Sequence, residues 1–429
     1  MKINNLNIKV IFNSLLIVVV SSLIGLLLLM ISFSLPDERI QKNVAGSVWM
    51  INEEGLYPER IYGLNSTRMD NWTDALIMNN LSFSDDDYSL FERVLEVPRA
   101  ESRDNPIYSL YTYYFEDYVD VTVETYTRYW HGYITFLRPL FMLGDYSIVR
   151  FLYFIVHFTI LAVFLRLLEK KVGLYPSIAF FATYLCVTGF VTPFSLQYST
   201  IMFLILFSGI FLLLCNDFLI QRKWMKYYFL LLGIITVYLD YLTYPIAVLG
   251  INLILYILLN KNKSEIAKEL IGYIIMWFAG YGGMWAMKWI ISTIVLGGNI
   301  FSDVFAAMRE RAGNTGLGND LTPVLIIQNN LKYLNNKPVI ACLLLTLLGG
   351  GLSKFAFVKK NKSKHKINMR MMVSLCLIST LPFIWVSVLL NHSFIHEYFT
   401  YRAFMPAVFA LLLLPECVNT KRDCDKMVI

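Results

Sequence analysis

The 429 residues are 57% hydrophobic and only 16% charged, with a mean hydropathy of +0.55 and a formal net charge of +6. That balance lies well outside soluble-protein averages. Many apolar runs approach the length of about 20 residues that a spanning helix needs, and alternating strand patterns are absent, so a soluble domain and a β-barrel are both excluded.

The chain begins with the basic stretch 1–9 and an apolar run over 10–35. The apolar core exceeds the length of about 7–15 residues typical of a cleaved signal, and no A-x-A site follows. The expectation is an uncleaved first helix, over 1–35, that enters from the cytoplasm.

A polar lobe, 36–146, comes next. Over 36–130 it holds 18 Asp and Glu against 8 Lys and Arg, a net of −10, so the remainder of the chain is strongly basic. Asp37 and Glu38 follow the first helix directly, where a carboxylate held at a membrane surface can take a proton from an acceptor hydroxyl. Ordinary acids at a helix end read the same way. DNWTDALIMNN places Asp70 and Asp74 at i, i+4, on one face if the stretch is helical. Thr73 is an alternative cap for that helix. The stretch also carries N-x-S/T triplets at Asn65, Asn71 and Asn80, a pattern common by chance. Asp85 to Asp87, and Glu53 with Glu54, read as solvated surface, because adjacent like charges favour water. The lobe is expected to consist of short helices packed on the membrane-side array.

The lobe closes on TRYWHGYITFLRPLF, which crowds Arg128, Tyr129, Trp130, His131, Tyr133 and Arg138 into an aromatic, amphipathic stretch typical of an interfacial helix. The aromatics read as belt anchors. His131 and Arg138, beside an acidic lobe, are candidate substrate contacts, as is Arg128.

Nine further apolar segments follow, at 147–168, 174–194, 198–220, 227–240, 243–259, 269–296, 338–357, 371–390 and 399–414, which with the first makes about ten transmembrane helices. The pair flanking Asp240 is short and reads as one kinked helix or two. Alternate loops, at 166–171, 221–226, 260–268, 354–370 and 419–426, are all basic. Those loops belong on the cytoplasmic side; the lobe, the turns at Pro193 and Asp240, the loop 297–337 and the stretch 391–397 belong outside. The chain is therefore expected in the cell membrane, multi-pass, with both termini cytoplasmic and 147–429 as the multi-helix domain. The basic loops read as orientation signals beside anionic lipid, and nucleic acid is not an expected partner.

None of the six cysteines, Cys186, Cys215, Cys342, Cys376, Cys417 and Cys424, lies in the lobe, which thus has no internal disulfide. They read as small apolar fillers. No inverted repeat supports a secondary transporter. No P-loop, dinucleotide fingerprint, HExxH or CxxC pair supports ATP-driven transport or a familiar cofactor site.

Two ionisable residues lie in apolar segments. Asp240, in TVYLDYLTYPI, and Lys288, in GYGGMWAMKWIIST, each cost at least about 2.5–3.5 kcal/mol at membrane depth if unpaired, so they face a cavity or each other. Gly280, Gly282 and Gly283 permit close helix packing before Lys288. The last outer stretch, NHSFIHEYFTYRAFMP, gathers His392, His396, Glu397, Tyr401 and Arg402. Two histidines at i, i+4 with a glutamate hint at a divalent metal, but spacing fixes no third ligand, so no metal site is assigned. A phosphate contact from Arg402 and the histidines fits better, since arginine presents a planar fork to phosphate oxygens.

In outline, an apolar first helix, a long acidic outer loop and a many-helix array, with Asp37-Glu38 directly after the first helix, resemble the GT-C superfamily of membrane glycosyltransferases. The stretches RYWHGY, DYLTYP, MWAMKW and FTYR also resemble membrane proteins of bacterial polysaccharide loci. The resemblance implies a GT-C-like, all-α polytopic fold and transfer of a sugar from a polyprenyl-phosphate donor to a cell-surface glycan or lipid-linked acceptor. It implies a lobe carboxylate as base, with Asp37 or Asp74 ahead of Glu38 and Asp70, and cations such as Lys288, Arg138 and Arg402 at the leaving phosphate. A polysaccharide polymerase or ligase, or a flippase, is the alternative.

Overall fold

The computed structural model describes residues 2–102, 105–116, 121–361 and 366–419. Among them the chain is almost wholly helical, with three short two-stranded pairings. Cys424 and part of the loop 354–370 lie outside the described residues.

The first helix, α1 (Lys2–Phe33), stops just before Pro36, and α2 (Asp37–Glu54) starts directly after it. Proline disfavours a helical conformation in the residue before it. Asp37 and Glu38 then occupy the first turn of α2, where carboxylates complement the positive helix end. Ile40, Val44, Val48 and Ile51 are fully buried along one side of α2. Their spacing is that of a helical stripe, and each such side chain contributes about 1.5–3 kcal/mol on burial.

The lobe continues through α3 (Asn71–Ser82), α4 (Leu90–Glu96) and α5 (Pro106–Phe115), with an antiparallel pair, β1 (Arg99–Glu101) and β2 (Thr122–Glu124), on either side of α5. Capping starts these short helices. A reciprocal box of Ser89 and Glu92 opens α4, and Asn105 opens α5. The cap of α3 is Asp70, which accepts from the Thr73 amide at 3.0 Å; Thr73, the alternative cap in the sequence, donates its hydroxyl to the same carboxylate at 2.7 Å. The interfacial stretch forms α6 (Ile134–Leu143).

The array then runs α7 (Tyr146–Lys171), α8 (Leu174–Thr188), α9 (Leu196–Gln221), α10 (Met225–Leu239), α11 (Ile246–Leu259) and α12 (Ile266–Leu296). An outer excursion, α13 (Phe301–Ala312) and α14 (Pro323–Lys332), leads to α15 (Lys337–Asn361) and α16 (Met369–Val388). The short helices α17 (Leu390–Ile395), α18 (Glu397–Thr400) and α19 (Met405–Leu412) complete it. Six helices are long and apolar enough to cross a membrane: Ile8–Phe33, Tyr146–Lys171, Leu196–Gln221, Ile266–Leu296, Lys337–Lys360 and Met369–Val388. The protein is therefore an all-helical membrane protein with several spans.

One open alternative is resolved and one sequence expectation is corrected. The region around Asp240 is two helices, because the Asp240 carboxylate accepts the Thr243 amide at 3.1 Å and closes a turn ahead of Pro245. The segment 399–414 is not one helix: a 3-10 turn at Tyr401–Phe404 precedes α19, and Pro406, which lacks an N–H, fits the start of α19.

Packing of α10 on α12 depends on two glycines. A Cβ on Gly233 would stand 2.1 Å from the Trp277 carbonyl oxygen, and one on Gly280 would stand 2.1 Å from that of Leu230. The backbones touch, as small residues permit between membrane helices. Gly283 faces Val18 of α1, whereas a Cβ on Gly282 would meet nothing within 4 Å. One hydrophobic cluster runs from α1 through the lobe helices into the array, so lobe and array share a core.

The connecting loops divide between two ends. At one end His392 reaches the Leu242 carbonyl, Arg402 those of Ser66 and Arg68, Tyr401 that of Val187, and Asn336 that of Gly63. At the other, Asn368 bonds the Lys261 carbonyl, Lys354 pairs with Glu416, and residues 366–367 pair with 418–419. The lobe stands at the first end.

Candidate functional site

A groove of about 700 Å³ opens sideways where α2, α7 and the turn after α8 meet. Its walls include Phe151, Phe154 and Phe190, all exposed, and Phe194. Its polar end is an ionic cluster. The Glu54 carboxylate accepts both terminal nitrogens of Arg150, at 2.8 and 2.9 Å, and Arg60 Nη2 at 2.6 Å. Burial by itself would raise the Glu54 carboxyl, but hydrogen bonds and charge from Arg150 and Arg60 outweigh it and hold the pKa at about 2. Arg150 is engaged at every nitrogen: Nε also donates to the Phe194 carbonyl at 2.8 Å, and Nη2 to Asn71 Oδ1 and the Tyr146 hydroxyl. Arg60 keeps 41% of its side chain exposed, so the groove ends in one accessible guanidinium and a net charge of +1 from two arginines and one glutamate.

The network continues inward to Asp74. Its carboxylate accepts from the Tyr146 hydroxyl, from Ser195 Oγ at 3.1 Å, and from the amides of Leu196 and Gln197 at 3.0 Å each. Those amides are the first two of α9, so Asp74 acts as a cap supplied from another helix. Burial raises its pKa despite these bonds, but every acceptor direction is used, which leaves no face for a substrate hydroxyl.

On the other side of the α3 start lies Asp70. It is fully buried, and burial pushes its pKa up to about 7 against the hydrogen bonds from Thr73 and the nearby Arg402 charge. Arg402 is also fully buried, its guanidinium carbon 3.9 Å from the Tyr198 ring centre, with Nη1 on the Tyr398 carbonyl at 3.0 Å. Four polar atoms near Asp70 and Arg402, namely Ser66 Oγ, Arg68 Nε, Tyr198 Oη and Arg402 Nε, are buried without a partner. Tyr57 and Tyr398 meet through their hydroxyls at 3.4 Å, and both feel the Asp70 charge. The segment 66–71 touches both the groove and the Asp70–Arg402 region: Thr67 lines the groove, Ser66 borders Arg402, and Asn71 bonds Glu54 at 3.0 Å.

The other sequence candidates are dispersed. Asp37 accepts Arg138 at 2.6 Å, Arg93 at 2.8 Å and Ser84 at 2.9 Å; burial would raise it, but the two arginines hold it low, which disfavours proton abstraction. Glu38 points outward from α2, exposed. Arg138 does not snorkel to an interface: it is fully buried and donates to the carbonyls of Ser32, Leu81 and Leu35 as well as to Asp37. Arg128 pairs with Asp303 at 3.0 Å. His131 is buried among Tyr126, Tyr133 and Tyr241, with Nε2 at 2.8 Å from the Tyr126 carbonyl and Nδ1 at 2.8 Å from the Tyr133 hydroxyl. Burial lowers its pKa to about 3, so the ring is neutral and its Nε2–H donates to that carbonyl.

Lys288 and Asp240 do not pair. Lys288 is fully buried and donates to the Leu95 carbonyl at 2.7 Å, at the end of α4, while Asp240 closes its own turn. Lys288 is thus turned onto a backbone carbonyl inside the fold. His392 bonds the Leu242 carbonyl at 2.9 Å, its ring 4.8 Å from that of His396, and burial lowers the pKa of both, to about 4 for His396. Tyr401 stacks on Tyr333 at 5.1 Å. Among the described residues no group of three or more His, Cys, Asp or Glu is placed to hold a metal ion.

Sequence reasoning missed Glu54, Arg60, Arg150 and Tyr198, and misjudged Glu54 as solvated. One signal was present: Arg150 is an ionisable residue in the second turn of an apolar span, a position that favours a partner. Comparison with protein-family models, with curated proteins and with solved structures returned no match. The fold and its buried charges alone define the class, a helical membrane protein with a polar lobe set on one end.

Proposed function

We propose that this chain is a membrane glycosyltransferase that moves a sugar from a polyprenyl-phosphate carrier to an acceptor hydroxyl at the lobe end. One observation carries the reading: a groove walled by exposed phenylalanines ends in a charged cluster whose Asn71 adjoins a buried carboxylate with a pKa near 7. In this reading the isoprenoid lies along Phe151, Phe154 and Phe190, and its phosphate meets Arg60. Asp70, poised near neutral pH, takes the proton as the acceptor oxygen bonds to the sugar's anomeric carbon; the bond from that carbon to the carrier phosphate breaks, the phosphate leaves with the electron pair and its charge meets Arg60, while Arg402 holds the Asp70 pKa down. No step requires Asp37, Asp74 or Lys288 to touch substrate.

The same reading has ten crossings, with α8, α10, α11 and the broken helical run 397–417 that contains α19 joining the six long helices, both termini cytoplasmic and the lobe outside. Impermeant thiol labelling of a cysteine-free background tests it: Asp86→Cys should react in intact cells and Glu169→Cys should not, and the reverse pattern would refute the topology.

Purified protein in liposomes, supplied with a panel of labelled polyprenyl-phosphate sugars, tests the activity. Transfer that is lost in Arg60→Gln and Asp70→Asn supports the assignment. Turnover only of diphosphate-linked oligosaccharides would move it to a polymerase or ligase, and no turnover of either class would defeat it.

A further inference from the structure

Three arginines gather on two tyrosines where the lobe meets the outer excursion, away from the groove. Arg99 opens β1, Arg128 precedes the Tyr129–Trp130 pair, and Arg311 lies in the last turn of α13. The guanidinium carbons of Arg99 and Arg128 lie 4.9 and 5.1 Å from the Tyr126 ring centre. That of Arg311 lies 5.7 Å from the Tyr129 ring, and its guanidinium also hydrogen-bonds Tyr126. The two rings meet edge to face at 5.2 Å, so one aromatic pair backs all three cations.

The carboxylates nearby do not saturate them. Asp303 takes only Nη1 of Arg128, and Glu101 and Glu124 take Nε and Nη2 of Arg99, at 3.0 and 3.3 Å. Asp303 and Glu124 are more than half exposed, at 54% and 56%, so those pairs are weak and easily opened. Arg311 has no ion-pair partner among the described residues; Glu310 beside it contributes charge at a distance. Each guanidinium retains one buried N–H without a partner: Arg99 Nη1, Arg128 Nε and Arg311 Nε. An unmet buried N–H costs about 1–3 kcal/mol, and three incompletely paired guanidiniums held on one aromatic pair suit a multivalent acceptor. Phosphate oxygens match the arginine fork in geometry and charge. The Arg128 carbonyl is fixed by the Trp289 indole at 3.1 Å, near the lobe end of α12, which sets the cluster at the edge of an apolar span.

We propose that this tyrosine-backed arginine cluster is a second oxyanion site, one that takes a phosphate group at the lobe-side membrane surface, free or carried on a lipid. It does not depend on the transferase reading, because binding is measured without turnover.

Full-length protein in phosphatidylcholine nanodiscs is titrated with inorganic pyrophosphate, and in a second arm the discs contain phosphatidic acid instead. Tryptophan fluorescence and melting temperature are read. Wild type should respond saturably to at least one arm, pyrophosphate assigning a soluble phosphate and phosphatidic acid a lipid headgroup. Arg311→Gln and Arg128→Gln should each weaken that response about tenfold or more. Arg311→Lys, which keeps the charge and loses the fork, should weaken it too, and covers the case that a Gln variant folds poorly. Arg309→Gln, an equal loss of charge on the same helix, should bind as wild type. A wild type silent in both arms, Gln variants that bind normally, or an equal loss in Arg309→Gln would overturn the site.

Discussion

Arg138 donates to Asp37 at 2.6 Å and places its remaining donors on the carbonyls of Ser32, Leu81 and Leu35. One side chain thus ties the end of α1, the start of α2 and the end of α3 to α6. Asp37→Asn leaves Arg138 buried without its counter-charge, a change that costs about 3–5 kcal/mol for buried pairs. Asp37 has a folded pKa below its unfolded value, so its contribution is complete above an unfolded pKa of about 3.9 and is lost as pH falls through the lowered value. Thermal unfolding of the detergent-solubilised variant should show the loss. A variant that melts like wild type but transfers no sugar would instead make Asp37 the base.

Asp74 is expected to matter for folding, with no separate effect on chemistry. Asp74→Asn removes the charge that caps α9 and weakens two amide bonds, for a loss of about 1–3 kcal/mol. Hydrogen exchange should quicken at Leu196 and Gln197 before the rest of α9. Unchanged exchange there would show that the cap is dispensable.

Asp70 should control the pH dependence of transfer. As a base it works deprotonated, so the rate should rise with pH through about 7 and level off above it. Asp70→Asn should lower the rate by about 10²–10⁴-fold. Arg402 draws the Asp70 pKa down, so Arg402→Gln should move the rising limb to higher pH. A profile that stays in place in that variant would separate Asp70 from Arg402.

Lys288 should behave as a fastener. It holds the Leu95 carbonyl at 2.7 Å, and Lys288→Met leaves that carbonyl unmet at a cost of about 1–3 kcal/mol. The expected phenotype is earlier local opening of α4 by hydrogen exchange, with sugar transfer retained in the folded fraction. A fully folded variant with no transfer would restore Lys288 to the chemistry.

The sequence by itself determined the class and much of the plan. Hydropathy is a local property, so the apolar runs that become α1, α7, α9, α12, α15 and α16 were legible one by one, as was the polar lobe. Charge did not determine function, because an ionisable side chain reads alike whether it meets solvent, a carbonyl or a partner. Asp74, Arg138 and Lys288 read as candidate contacts, and in the fold each holds backbone groups, Asp74 and Arg138 holding side chains as well; Glu54 looked like surface and organises the groove. Those outcomes rest on contacts between residues up to 123 positions apart for Asp74 and 193 for Lys288. The tertiary structure decided them, since burial sets the cost of an unpaired charge, and burial at a given residue depends on which distant segments pack around it.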